Sequence, residues 1–203
     1  MHDGQFFIPG PAGAIEACLE NTGSTDIAVL CHPHPLYGGS MDDPVLATVT
    51  DALAAAGIGA LRFNFRGVGA SQGSHDGGAG ERDDLAAVLD WLRVHRPEAG
   101  LLLGGYSFGA AIISRFLEES PVEIERAILI APPVGNLPTT PPDGRTPVDV
   151  VAGDADPFLD LRALRAWTAA SMHVISGADH FFSGHRGELG QRISRILDAP
   201  PLQ

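Results

Sequence analysis

Gly105-Tyr106-Ser107-Phe108-Gly109 joins an apolar run, Gly100-Leu101-Leu102-Leu103-Gly104, directly to the helical pattern Ala110-Ala111-Ile112-Ile113-Ser114-Arg115-Phe116-Leu117. A serine on so sharp a strand-to-helix turn is held in a strained backbone conformation with its hydroxyl clear of the sheet. Glycines two residues before and two after it let strand and helix pack closely. The turn also aims main-chain N–H groups at negative charge developing near the hydroxyl. The chemistry these residues suit is nucleophilic attack on an acyl carbon.

A serine hydroxyl needs a base within hydrogen-bond reach and a carboxylate that orients the base. Both follow further along the chain. Gly153-Asp154-Ala155-Asp156 leaves one predicted strand, and Gly177-Ala178-Asp179-His180 leaves the next. Either Asp154 or Asp156 suits the acid, leaving the other to hold loop backbone. His180 is the expected base; His173 starts its strand at the wrong edge, and His185 could substitute if the last helix began late. The order Ser107, acid, His180 is that of α/β hydrolases.

An acyl nucleophile also requires an oxyanion site. The Phe108 N–H is one expected donor. The second should come from His32-Pro33-His34-Pro35-Leu36-Tyr37-Gly38-Gly39. Prolines 33 and 35 carry no N–H and stiffen the loop, which favours His34 over Leu36 or Tyr37. No carboxylate or cysteine at ligand spacing joins His32 and His34, so neither a metal nor another cofactor is expected. Arg66 could hold a substrate carboxylate, although an ion pair with Glu81 or Asp84 is the more ordinary role. The glycines from 67 to 80 lack a following lysine and read as a flexible connection rather than a phosphate loop.

Positioning these groups requires alternating strands and helices. Strands are predicted at Gln5–Ile8, Ala14–Glu20, Asp26–Cys31, Gly59–Phe65, Gly100–Gly104, Arg126–Ala131, Val148–Ala152 and His173–Ser176. Helices are predicted from Pro44 to about Ala56, after Gly80 to Pro97, from Ala110, over Asp160–Ala170 and near Gly187–Leu197. Residues 1–25 supply the opening strands, and 198–203 form a frayed tail. Alternation of this kind implies an α/β fold: a mostly parallel sheet with helices on both faces and chemistry outside the carboxyl ends of the strands.

Composition narrows the partners. With 203 residues, 44% of them hydrophobic, the chain can bury one sizeable core and is read as one domain, 1–203. Acidic residues number 25 against 13 basic ones, a formal charge of -12, which disfavours nucleic acid and anionic membrane surfaces. Every basic residue except histidine is arginine, which removes lysine Schiff-base chemistry. Cys18 and Cys31 fall in predicted strands without a C-x-x-C and read as reduced. No basic leader with an apolar run opens the chain, and no apolar stretch approaches membrane-span length, so a cytoplasmic location is expected.

Taken together, several motifs resemble the small, capless bacterial α/β-hydrolases related to dienelactone hydrolase. They are His32-Pro33-His34-Pro35-x-Tyr37-Gly38-Gly39-x-Met41, Arg62-Phe63-Asn64-Phe65-Arg66-Gly67-Val68-Gly69-x-Ser71, the Ser107 turn, Gly153-Asp154-Ala155-Asp156 and Gly177-x-x-His180-Phe181-Phe182. The resemblance implies a Ser-Asp-His serine hydrolase on a single-domain, eight-stranded sheet without a lid. It places the acid at the fourth position of Gly-x-x-Asp, hence at Asp156. Dienelactone hydrolase uses cysteine where this chain has Ser107, so its lactone substrate does not carry over, and Pro157-Phe158 shortens the turn after the acid.

Pro132 to Pro142 is too short and proline-rich for a helical cap. An open cleft is therefore expected, walled by Tyr37, Phe158 and Phe181, with Phe108 a further candidate, and accepting small acyl substrates and water. An acyltransferase or perhydrolase would share the same machinery, and a non-catalytic binding protein the same scaffold.

Overall fold

A computed structural model describes residues 4–21 and 23–199. The expected leader-less start at residues 1–3 and the end of the expected frayed tail, 200–203, lie outside the described residues. Eight strands form one sheet: β1 (Gly4–Gly10), β2 (Gly13–Glu20), β3 (Asp26–Cys31), β4 (Gly59–Phe63), β5 (Gly100–Tyr106), β6 (Arg126–Ile130), β7 (Val148–Gly153) and β8 (Ala170–Ile175). Their spatial order is β1-β2-β4-β3-β5-β6-β7-β8. The β1–β2 and β2–β4 pairs are antiparallel, and every pair from β4 to β8 is parallel. The fold is thus the expected α/β hydrolase fold.

Strands covered on both faces must be apolar throughout. In β3, Ile27, Val29 and Cys31 enter one core while Ala28 and Leu30 enter the other. The first core is closed by α2 (Ala79–His95) and α3 (Phe108–Glu119) through Leu85, Val88, Leu89, Ile112 and Ile113. The second is closed by α1 (Pro44–Ala55) and α5 (Arg186–Asp198) through Val45, Leu46, Val49, Leu189 and Ile193. Asp43 caps α1 by accepting the Val45 N–H at 2.8 Å, with Pro44 in the first turn.

Three local expectations change. The helix expected over 160–170 is a single turn, α4 (Leu161–Leu164). Successive tight turns follow it, Trp167 N–H to Leu164 and Ala170 N–H to Trp167, because Ala170 must already be extended to pair with Val148. The strand β8 accordingly begins at Ala170, ahead of His173. At the other side, β4 ends at Phe63 because Phe65 donates its N–H to a histidine ring, His32 Nε2, at 3.0 Å.

The glycine-rich connection is tied down rather than free. Gln72 and Ala14 exchange two hydrogen bonds of 2.8 Å, one through the Gln72 side chain. Ser71 Oγ donates to the Asn64 carbonyl at 2.6 Å and accepts the Glu16 N–H at 2.9 Å. Arg66 grips the fully buried Asp84 with Nη2–Oδ1 at 2.8 Å and Nε–Oδ2 at 3.0 Å. Its guanidinium therefore pins this segment to α2 and does not serve a substrate carboxylate.

The joint that places the site is the start of α3. A Cβ at Gly109 would lie 2.1 Å from the Cys31 carbonyl oxygen, and one at Gly105 would lie 2.7 Å from Gly109 backbone. Neither neighbour is a side chain that can swing away. Gly109→Ala is expected to lower the unfolding free energy by about 3 kcal/mol, measured by urea denaturation, since backbone must shift to admit the methyl.

Candidate active site

Ser107 follows the last residue of β5 with φ 54° and ψ -114°, a left-handed conformation rare for a residue with a side chain. Its N–H is satisfied by the Ile130 carbonyl at 2.9 Å, which fixes the turn to the neighbouring strand. The strain has a geometric result: the Ser107 hydroxyl stands 2.9 Å from His180 Nε2. On the opposite side of that ring, His180 Nδ1 lies 2.7 Å from Asp156 Oδ2.

Each partner is itself held. Asp156 has a fully buried side chain, and its Oδ1 accepts the Phe158 N–H at 2.8 Å. The Nδ1 hydrogen faces this carboxylate, so the Nε2 lone pair faces the serine. Tyr106, one residue before Ser107, donates its hydroxyl to the His180 carbonyl at 2.9 Å. Asp179 caps the same turn by accepting the Phe181 and Ser183 N–H groups at 3.1 and 2.8 Å. Phe182, wholly buried, anchors the loop in the core beneath α1 and α5.

The two aspartates after β7 divide their work. Asp154 accepts the Gly177 N–H at 2.6 Å and the Ser176 hydroxyl at 3.1 Å, joining the loops that follow β7 and β8. Only Asp156 reaches the imidazole. The rival histidines are engaged elsewhere: His173 pairs with Asp149 at 2.7 Å, and His185 bonds the Ser183 carbonyl at 2.9 Å. Cys31, at the end of β3, is no rival nucleophile, because burial pushes its thiol pKa up.

Loop 32–39 stands opposite the histidine. Tyr37 and Gly39 donate to the His34 carbonyl, Gly38 donates to Pro35, and Leu36 donates to His34 Nδ1. That removes Leu36 and Tyr37 as free donors. Among the described residues the backbone N–H groups of His34 and Phe108 have no acceptor. The Phe108 ring itself is 4% exposed and packs edge-on against Phe65, so it belongs to the core and not to a cleft wall.

A cavity of about 460 Å³ opens over Ser107 and His180. Tyr37, Phe158 and Phe181 all line it, with exposures of 87%, 47% and 61%. Four wall residues carried no functional reading in the sequence: Asp43, Pro133, Asn136 and Leu137. Asn136 donates to the Phe158 carbonyl at 2.7 Å, bracing the proline-rich loop against the loop that carries Asp156. A polar residue just past the carboxyl end of β6 was the available signal for Asn136. Asp43, directly before Pro44, carries in sequence only the signature of a helix cap. Among the described residues no cluster of three or more His, Cys, Asp or Glu forms a metal site, and no helix is long and apolar enough to cross a membrane.

Comparison with known proteins gives concordant matches. Residues 38–153 fit the family model described as "Serine aminopeptidase, S33". An uncharacterized protein of Rickettsia prowazekii is 35% identical over 95% of this chain and 88% of its own length. An α/β serine hydrolase homologue from Coxiella burnetii is 35% identical, covering 97% of this chain and 98% of that one, with a TM-score of 0.86. A Xanthomonas campestris α/β serine hydrolase without a lid is 32% identical over 99% of this chain and 98% of that one, with a TM-score of 0.81.

His32 is fully buried and spans the exits of two strands, with Nδ1 2.6 Å from the Pro33 carbonyl and Nε2 accepting from Phe65. Burial pushes its pKa from 6.5 down to about 4. The unfolded chain takes up this proton from about pH 6.5, whereas the folded chain refuses it until about pH 4. Between those values the unfolded state binds more protons, so stability present above the upper value is lost on acidification, about 3 kcal/mol in all. Imidazole ¹⁵N shifts should report a neutral His32 down to about pH 4; protonation near its ordinary pKa would contradict this.

Proposed function

Because the chain belongs to the serine aminopeptidase S33 family of α/β hydrolases, we propose that it cleaves an ester or related acyl bond through Ser107, His180 and Asp156. The observation that carries the reading is the unbroken pair of hydrogen bonds, 2.9 Å from Ser107 to His180 and 2.7 Å from His180 to Asp156.

In this mechanism His180 Nε2 takes the Ser107 proton as Oγ attacks the acyl carbon. The carbonyl oxygen becomes an alkoxide, and the Phe108 and His34 N–H groups stabilise it. These donors cost little reorganisation, since helix and loop already hold them without other acceptors. The imidazolium then protonates the leaving oxygen or nitrogen as the tetrahedral intermediate collapses to the acyl enzyme. Water enters, loses a proton to Nε2 and attacks the same carbon; Ser107 leaves with that proton. Asp156 holds the required tautomer and steadies the imidazolium in both halves.

Cleft shape bears on substrate size. Tyr37, Phe158 and Phe181 form an open, aromatic mouth that no lid covers among the described residues. Short acyl groups suit such a mouth, and no interfacial activation is expected.

A fluorophosphonate probe should label the wild type and fail to label Ser107→Ala. The same variant should hydrolyse p-nitrophenyl acetate about 10⁴- to 10⁶-fold more slowly. Equal labelling of the two proteins would refute the assignment. In a chain-length series, acetate and butyrate esters should turn over faster than long-chain esters; the reverse order would overturn the open-cleft reading while leaving the nucleophile in place.

A further inference from the structure

Charge is distributed in the cavity in a way the acyl chemistry does not require. Among the described residues no arginine lines it, and the chain has no lysine. Among the described residues the one carboxylate that lines it is Asp43, on the wall next to the loop that carries His34. Asp43 receives the Val45 N–H at 2.8 Å but forms no ion pair among the described residues. Arg186, exposed at the start of α5, acts on it electrostatically without forming an ion pair. Burial raises the Asp43 pKa, consistent with a carboxylate that lacks a counter-ion at close range.

The helix cap alone does not explain a charge here. Asparagine and serine cap helices about as well as aspartate and place no anion in a binding cavity. A second feature of the same walls points to the same ligand. Among the described residues six large apolar side chains are exposed, and four of them, Leu36, Tyr37, Phe158 and Phe181, surround this mouth or adjoin it in loop 32–39. Three of those are aromatic, and an aromatic face attracts a cation that lies over it. The formal charge of -12 further raises the local concentration of cations and lowers that of anions.

We propose that Asp43 is a specificity-determining residue, selecting acyl substrates that carry an ammonium or trimethylammonium group near the scissile bond and disfavouring those that carry a carboxylate. This rests on the serine-hydrolase reading above. The Asp43 carboxylate supplies the countercharge, and the aromatic rim supplies the apolar, polarisable faces that such a group prefers to water.

Two pairs of isosteric esters test it, each differing only in nitrogen for carbon. Acetylcholine against 3,3-dimethylbutyl acetate places the cation on the alcohol; glycine betaine methyl ester against methyl 3,3-dimethylbutyrate places it on the acyl group. The quantity read is the kcat/KM ratio of cation to neutral isostere, at mildly alkaline pH and low salt, in wild type and Asp43→Asn. Intrinsic reactivity and any general loss of activity cancel in the comparison. In at least one pair the ratio should fall about three- to tenfold in the variant, and the responding pair identifies the side that holds the cation. Added salt should shrink the wild-type preference. Asp43→Ser, another uncharged cap, should match Asp43→Asn, with urea denaturation showing both folded. Unchanged ratios in both pairs, with neutral esters still hydrolysed, would overturn the role of Asp43 and leave the hydrolase reading intact. Absence of both turnover and fluorophosphonate labelling in the wild type would overturn the two together.

Discussion

The close approach between α3 and the end of β3 is the constraint from which the site's geometry follows. Gly109 packs so tightly on the Cys31 carbonyl that no side chain fits between them, and Gly105 meets Gly109 with equal economy. With strand and helix this close, the connecting residue cannot keep an ordinary backbone conformation, and Ser107 takes φ 54°. The same contact sets the first turn of α3 beside loop 32–39. Glycine packing at this joint thus lifts a hydroxyl out of the sheet and brings the first turn of α3 against the end of β3, where loop 32–39 begins.

Parallel strands supply the remaining partners because their carboxyl ends share one edge. Ser107 leaves β5, Asp156 leaves β7 by way of a short turn, and His180 leaves β8. Side chains from three strands converge only if the turns between are fixed, and each is fixed by hydrogen bonds to main chain. Asp154 binds the backbone at Gly177, Asp179 binds that of Phe181 and Ser183, and Tyr106 binds that of His180. The second aspartate of Asp154-Ala155-Asp156 is thereby left to hold its own turn through Phe158 with one oxygen and to meet the imidazole with the other.

Much of this arrangement is local and so can be read from sequence. The apolar run, the glycine-flanked serine and the helix after it form a continuous segment whose geometry depends on its own residues. The order of serine, acid and histidine likewise survives as chain order. Features that depend on distant partners are not visible this way. The helical pattern over 160–170 gives way to tight turns because β8 must meet β7 at Val148, a pairing no local window contains. The glycines after Arg66 read as a loose connection, yet Gln72 pairs with Ala14 and Ser71 with Glu16, more than fifty positions away. Asp43 and Asn136 enter the cavity wall through loop placement, and their local roles as cap and turn residue give no hint of it.

A cleft without a lid cannot rely on closure to order its groups, so order must come from beneath. Here it comes from buried polar side chains that tie loop to loop. His32 links the exit of β3 to that of β4, and being neutral it does so without the cost of burying a charge. Glu81, fully buried, accepts from His75 at 2.7 Å and from the Gly78 N–H at 2.7 Å. The His75 ring in turn packs against His34 and Phe108, the two residues whose N–H groups are proposed to stabilise the oxyanion. Removing a carboxylate from water is costly unless its lone pairs are met, and those of Glu81 and Asp84 are. The rigidity that other sites obtain from a closing domain is achieved here by satisfied polar groups below the floor of an open one. That leaves the mouth, with its aromatic rim and the Asp43 carboxylate, exposed to whatever substrate diffuses in.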